Sequence, residues 1–129
     1  MRETHLNRMI FRFPLAAATL TACAAPPVDT PAATAAACDL KVEFASIGTG
    51  IDGAVLEKVD TLLSGDKGVA AINRQRWGKE GEVTLCIDTR VEADATRLFG
   101  QIKALFPASS EKPLSVETAA GQHYRVPAP

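Results

Sequence analysis

Few side chains in this sequence carry reactive chemistry, and the three cysteines, Cys23, Cys38 and Cys86, come first among them. A thiol can bridge to a second thiol, hold a metal or carry a covalent group. No Cys-x-x-Cys spacing occurs and His123 is distant in sequence, so a metal site has the least support. No nucleophile elbow, paired-carboxylate motif or metal-binding helix is present. His123 stands near Tyr124 in a proline-ended tail, where a satisfied or merely exposed histidine is expected rather than a general base. Asp88 could be catalytic at the end of a strand, but a carboxylate leading into a helix explains it with less. The expectation is a non-enzymatic protein that needs no cofactor.

Two further groups could bind a ligand. Gly48-Thr49-Gly50 ahead of a helix has the look of a phosphate-cradling loop. It lacks the third glycine or the following lysine at the required spacing, and a strand-to-helix turn needs glycine in any case. Arg74, Arg76, Trp77 and Lys79 gather around a hairpin tip. Arginine and tryptophan dominate interface hot spots, so this is the best surface candidate, for a small anionic ligand, a glycan or a protein. The plainer reading is an edge strand guarded by charge, with Trp77 packed flat across the sheet.

Ahead of these groups, Arg2, Arg8 and Arg12 precede an uncharged run from Phe13 to Ala22. Basic flank, short apolar run and small residues make a secretory signal. Ten residues fall well short of the roughly 20 that cross a bilayer as a helix, so residues 1–22 are expected to be removed. Met9 could serve as the start and still leave Arg12 as a basic flank.

The run ends in Leu20-Thr21-Ala22-Cys23, which resembles the lipobox of bacterial lipoproteins. The resemblance implies a diacylglycerol group on the Cys23 sulfur, cleavage just before it, and acylation of the new amino group. Two or three acyl chains anchor a protein essentially permanently, whereas one holds only marginally. Ala24 stands where an aspartate would favour inner-membrane retention in enteric bacteria, so the resemblance points to the outer membrane, periplasmic side. An ordinary cut at Ala22-Cys23-Ala24 would instead release a soluble protein. The odd cysteine count favours lipidation, which uses Cys23 and leaves Cys38 and Cys86 as a pair.

Removing residues 1–22 takes three arginines and one glutamate from 14 basic and 15 acidic residues, leaving 11 and 14, a net charge of −3. That balance offers no electrostatic footprint for nucleic acid. Ala24 to Ala37 holds seven alanines, three prolines and a single charge, Asp29. Prolines exclude a stable helix there, so residues 23–37 are the lipidated cysteine and a tether reaching at most about 45 Å. Residues 38–129 are one small domain with a flexible C-terminal tail, and a disulfide would help a core of that size.

Within the domain the pattern switches between two periods. Leu40, Val42 and Phe44 alternate with Lys41 and Glu43, predicting a strand with one wet face. Asp52 can cap a helix carrying Val55, Leu56, Val59, Leu62 and Leu63, which Gly65 ends. Val69 to Trp77 reads as a second strand, residues 78–81 as a turn, and Val83, Leu85 and Ile87 as a third strand. Thr89-Arg90-Val91-Glu92 has the form of a capping box. The helix behind it carries Ala95, Leu98, Phe99, Ile102, Leu105 and Phe106 and stops at Pro107. Leu114, Val116 and Thr118 suggest a last strand.

This order, βαββαβ, predicts an α+β ferredoxin-like two-layer sandwich, with the first and third strands side by side and both helices on one sheet face. The other face, with Lys41, Glu43, Glu82 and Thr84, should be wet or covered by a partner. Antiparallel first and third strands would bring Cys38 near Cys86, and an oxidising compartment favours a bridge. Parity objects, because Cys86 faces away from Leu85 while Cys38 continues the parity of Leu40. A bridge therefore requires Cys38 to lie outside the regular strand or behind a bulge; otherwise both are separate buried thiols. The fold itself predicts no activity. The expected role is an accessory lipoprotein of the bacterial envelope, anchored by lipid and binding an envelope protein partner.

Overall fold

The computed structural model describes residues 37–126. The signal segment, Cys23 and nearly all of the tether lie outside the described residues, as do the last three. Seven elements follow in order: β1 (Leu40–Phe44), α1 (Gly53–Gly65), β2 (Val69–Trp77), β3 (Glu82–Thr89), α2 (Glu92–Leu105), β4 (Leu114–Thr118) and β5 (His123–Val126). The strands form one antiparallel sheet in the order β2-β3-β1-β4-β5. It is an α+β fold, with two helices beside a five-stranded open sheet.

The period-2 pattern of β1 sets the layers. Leu40, Val42 and Phe44 are fully buried, while Lys41 and Glu43 between them are half-buried. Register carries this parity outward: Leu40, Val42 and Phe44 face Ile87, Leu85 and Val83 on one side and Thr118, Val116 and Leu114 on the other. Both helices bury their stripes against that face, α1 through Val55, Val59 and Leu63 and α2 through Ala95, Leu98 and Ile102. Each large aliphatic side chain so buried contributes about 1.5–3 kcal/mol.

Helix α1 starts as its sequence implies, with the Asp52 carboxylate accepting from Val55 N at 3.1 Å. Helix α2 does not. Its cap residue is Val91, with no side-chain cap bond. Thr89 stays in β3, where Asp39 accepts from its backbone N–H at 2.8 Å and its hydroxyl at 3.3 Å. Strand pairing and the Asp39 carboxylate claim Thr89 before the helix can, so the capping-box reading is corrected.

A second correction concerns the C-terminal segment. Residues 123–126, read as part of a tail, form β5 against β4. Tyr124 and Val126 turn to the core, and Tyr124 packs beside Phe106 with Lys103 Nζ 4.8 Å from its ring centre. Glu82, expected on the wet face, is 6% exposed. Its carboxylate folds back over the hairpin and accepts from Glu80 N at 2.8 Å. Gly78, at φ 66°, makes room, since a Cβ there would meet that carboxylate at 2.2–2.6 Å.

The turn joining α1 to β2 is fastened from α2. Arg97 meets both Asp66 oxygens at 2.7 Å and Asp94 at 3.1 Å, while Asp66 also accepts from Gly68 N. Arg90 adds bonds to the carbonyls of Lys67 and Gly68. The Arg97 guanidinium and the Gly68 amide lower the Asp66 carboxyl to about 2 from its ordinary 3.8. A depressed carboxylate stabilises the fold above its unfolded value and loses that contribution as pH falls through the folded one. The shift would be worth at most about 2.5 kcal/mol, and screening around Arg97, 41% exposed, reduces this to about 1 kcal/mol. Asp66→Asn should therefore cost about 1 kcal/mol at neutral pH, a deficit that shrinks between pH 4 and pH 2. Urea unfolding across that range would show it, and a deficit independent of pH would refute the ion-pair account.

Candidate functional site

Among the described residues nothing covers the second face of the sheet, and register assigns its residues. Two rows cross all five strands: Gln75, Thr84, Glu43, Ser115 and Arg125, and Asn73, Cys86, Lys41, Glu117 and His123. All but the cysteine are polar or charged, and Lys41 is ion-paired with Glu117 across β1 and β4. Such a face neither needs nor attracts an apolar cover. Asp88 sits exposed at its end, opposite Ala71 on β2, and leads into no helix directly. His123 is exposed opposite Glu117.

Cys38 and Cys86 form a disulfide on this face, with Cα atoms 5.2 Å apart. The parity objection dissolves because β1 begins only at Leu40, leaving Cys38 outside the ladder. Asp39 turns the chain there, anchored through Thr89 on one side and, through its carbonyl, by Ala119 N on the other. Cys38 is thereby free of the alternation that fixes Leu40 and can reach the polar face. A hollow of about 360 Å³ surrounds the bridge, lined by Lys41, Asn73, Gln75, Thr84 and Asp88.

The four residues of the hairpin patch are divided. Arg74 and Arg76 stand opposite Leu85 and Val83, on the helix side of the sheet. Trp77 stands opposite Glu82 on the polar side, where its Nε1 donates to Thr84 Oγ1 at 3.0 Å. Arg74 is held by both oxygens of Asp60 on α1. Lys79 lies in the turn beyond, exposed. One ligand using all four would have to straddle the outer edge of β2.

Both glycine amides of the Gly48-Thr49-Gly50 loop are already bonded within the protein. Gly48 N is bonded to Ser46 Oγ and Gly50 N to the Glu80 carboxylate, each at 3.1 Å. A groove of about 750 Å³ runs between the helices, lined by Ala54, Thr61, Leu62, Ala104 and Leu105 with Lys58 and Gln101. Among the described residues no cluster of three or more histidine, cysteine or acidic side chains is placed to hold a metal. No family model matches the chain, and neither a curated protein nor a solved structure matches it.

The disulfide closes a separation of 48 residues, for which loop closure alone gives about 4 kcal/mol. The double variant Cys38→Ser, Cys86→Ser should lose about 3 kcal/mol in urea unfolding, given that such bonds often deliver less than the entropy implies. A loss below about 0.5 kcal/mol would show that Asp39 and the β1 ladder fix this corner without the bond.

Proposed function

We propose that the chain is a lipoprotein of the bacterial envelope, anchored through an acylated Cys23 and facing the periplasm from the outer membrane. Its small domain serves there as a non-enzymatic accessory or interaction module. One observation carries the reading. The Cys38–Cys86 bridge uses two of the three cysteines, so the remaining thiol is the one that ends the lipobox-like sequence. A bridge of this kind also suits an oxidising compartment.

The finer assignment of the fold belongs to the same proposal. With β5 set aside, the order β4-β1-β3-β2 and the βαββαβ succession support a ferredoxin-like arrangement, to which β5 adds an edge strand. Because that arrangement hosts many functions, the role is argued from surface chemistry rather than from fold. A polar, uncovered sheet face with paired charges suits docking to a polar protein surface. The alternative, a site for a small anionic ligand or glycan near Arg74, Arg76 and Trp77, draws less support, since Arg74 is already neutralised and Trp77 faces the other way.

Cys23→Ser should move the protein from the membrane to the soluble periplasmic fraction and remove the acyl mass from its first residue. Membrane retention unchanged by the substitution would overturn the anchoring. A photo-crosslinker at Glu43 or Ser115, on the polar face, should capture an envelope protein in cells. Saturable glycan binding without such capture would favour the alternative.

A further inference from the structure

The two edges of the sheet are unlike. β5 has four residues, whereas β2 has nine, of which all but Val69 are exposed. Among the described residues no strand lies beyond β2. An edge this long is a template for another strand unless something blunts it. The direction of its free groups follows from the ladder. Arg90 N donates to Gly68 O, and antiparallel bonding alternates from there. Ala71, Asn73, Gln75 and Trp77 therefore bond to β3, while Ile72, Arg74 and Arg76 turn their N–H and C=O groups outward. Thr89 N, bonded on the β1 side by Asp39, agrees with this phase.

The usable edge has definite ends. Register shifts between Val69 and Ala71, so a bulge closes it on one side, and Gly78 begins the turn on the other. Seven residues remain, 71 to 77, with Arg74 at their centre. We propose that this edge pairs antiparallel with the same edge of a second copy of the chain, about a two-fold axis at Arg74, making one continuous sheet of ten strands.

Side chains select both the occupant and the register. Centring on Arg74 brings all three outward-bonding residues into pairs, giving about six new backbone hydrogen bonds. Ile72, 42% exposed, then lies beside the aliphatic stem of Arg76 of the second copy. Trp77, 40% exposed, lies over Ala71 of the second copy, in a non-hydrogen-bonded pair where side chains approach more closely. Asn73 faces Gln75, amide to amide. The two Arg74 side chains meet at the axis, each already neutralised by its own Asp60. Sliding by two residues one way would oppose Arg74 to Arg76, which has no such carboxylate among the described residues. Sliding the other way would push Trp77 past the bulge. The edge is complementary to itself in one register.

The test uses the full chain carrying Cys23→Ser, so that no acyl group drives association. Sedimentation should find a concentration-dependent dimer. With benzoylphenylalanine at Trp77, irradiation of mixed light and isotope-labelled chains should join residue 77 of one copy to the segment around Ala71 of the other. Arg76→Pro deletes an outward N–H and leaves the β3 ladder intact, so it should weaken the dimer at least about tenfold. Should that variant fail to fold by circular dichroism, Ile72→Lys, at an exposed position, sets a lysine against Arg76 and should weaken it similarly. A monomer at about 100 µM, where a dimer of useful affinity would be populated, overturns the proposal. So does a dimer whose crosslinks map elsewhere or that survives both substitutions.

Discussion

The alternation in β1 constrains everything else. This strand is bonded on both sides, so the side of the sheet chosen by Leu40, Val42 and Phe44 is imposed on β3 and β4 at once, and through them on β2 and β5. A one-residue slip would carry three buried apolar side chains into water and bring Lys41 and Glu43 under the helices. The helices add their own stripes to a core whose plane is already decided. The result has two unlike faces, one covered by the helices over β3, β1 and β4 and one mainly polar, broken by the disulfide and Trp77. The polar face, the groove between the helices and the two edges are the surfaces this layering leaves open.

The edges show how differently the chain treats its two ends. Adding β5 hides the outer side of β4 behind a short strand, and Tyr124 and Val126 extend the core beneath it. At the other end β2 runs on for nine residues with little packed over it, steadied by Asp60 on one of its arginines and Thr84 on its tryptophan. The bulge near Ala70 and the tight turn at Gly78 confine that exposure to a defined stretch.

Much of this was legible from residue order. Strict alternation located β1 and β3, the 3.6-residue stripe located both helices, and β2 spans the residues its apolar start and the following Gly-Lys-Glu-Gly turn implied. Other features escaped, the burial of Glu82 among them. His123-Tyr124-Arg125-Val126 alternates polar with apolar, but four residues before a proline carry too weak a signal to separate from a tail. Thr89 matched a cap by spacing, yet the competitor for it, Asp39, is 50 residues away in sequence. The grouping of Arg74, Arg76 and Trp77 was one of sequence; the strand alternates its side chains, so neighbours in the chain went to opposite faces. The cysteine pair was anticipated from count and compartment, and its parity problem correctly located the irregular residue as Cys38. The segment bearing Cys23 has no structural counterpart among the described residues.

The position of the bridge has a mechanical consequence. Tension arriving along the chain from ahead of Cys38 reaches the domain at a residue covalently joined to β3, before it reaches the hydrogen bonds of β1. Load is thus divided between two neighbouring strands near the middle of the sheet, and the first strand is shielded from being drawn out lengthwise. Reduction would concentrate the same pull on the five residues of β1 alone. A domain built in this way resists extraction by a pull on the chain ahead of Cys38.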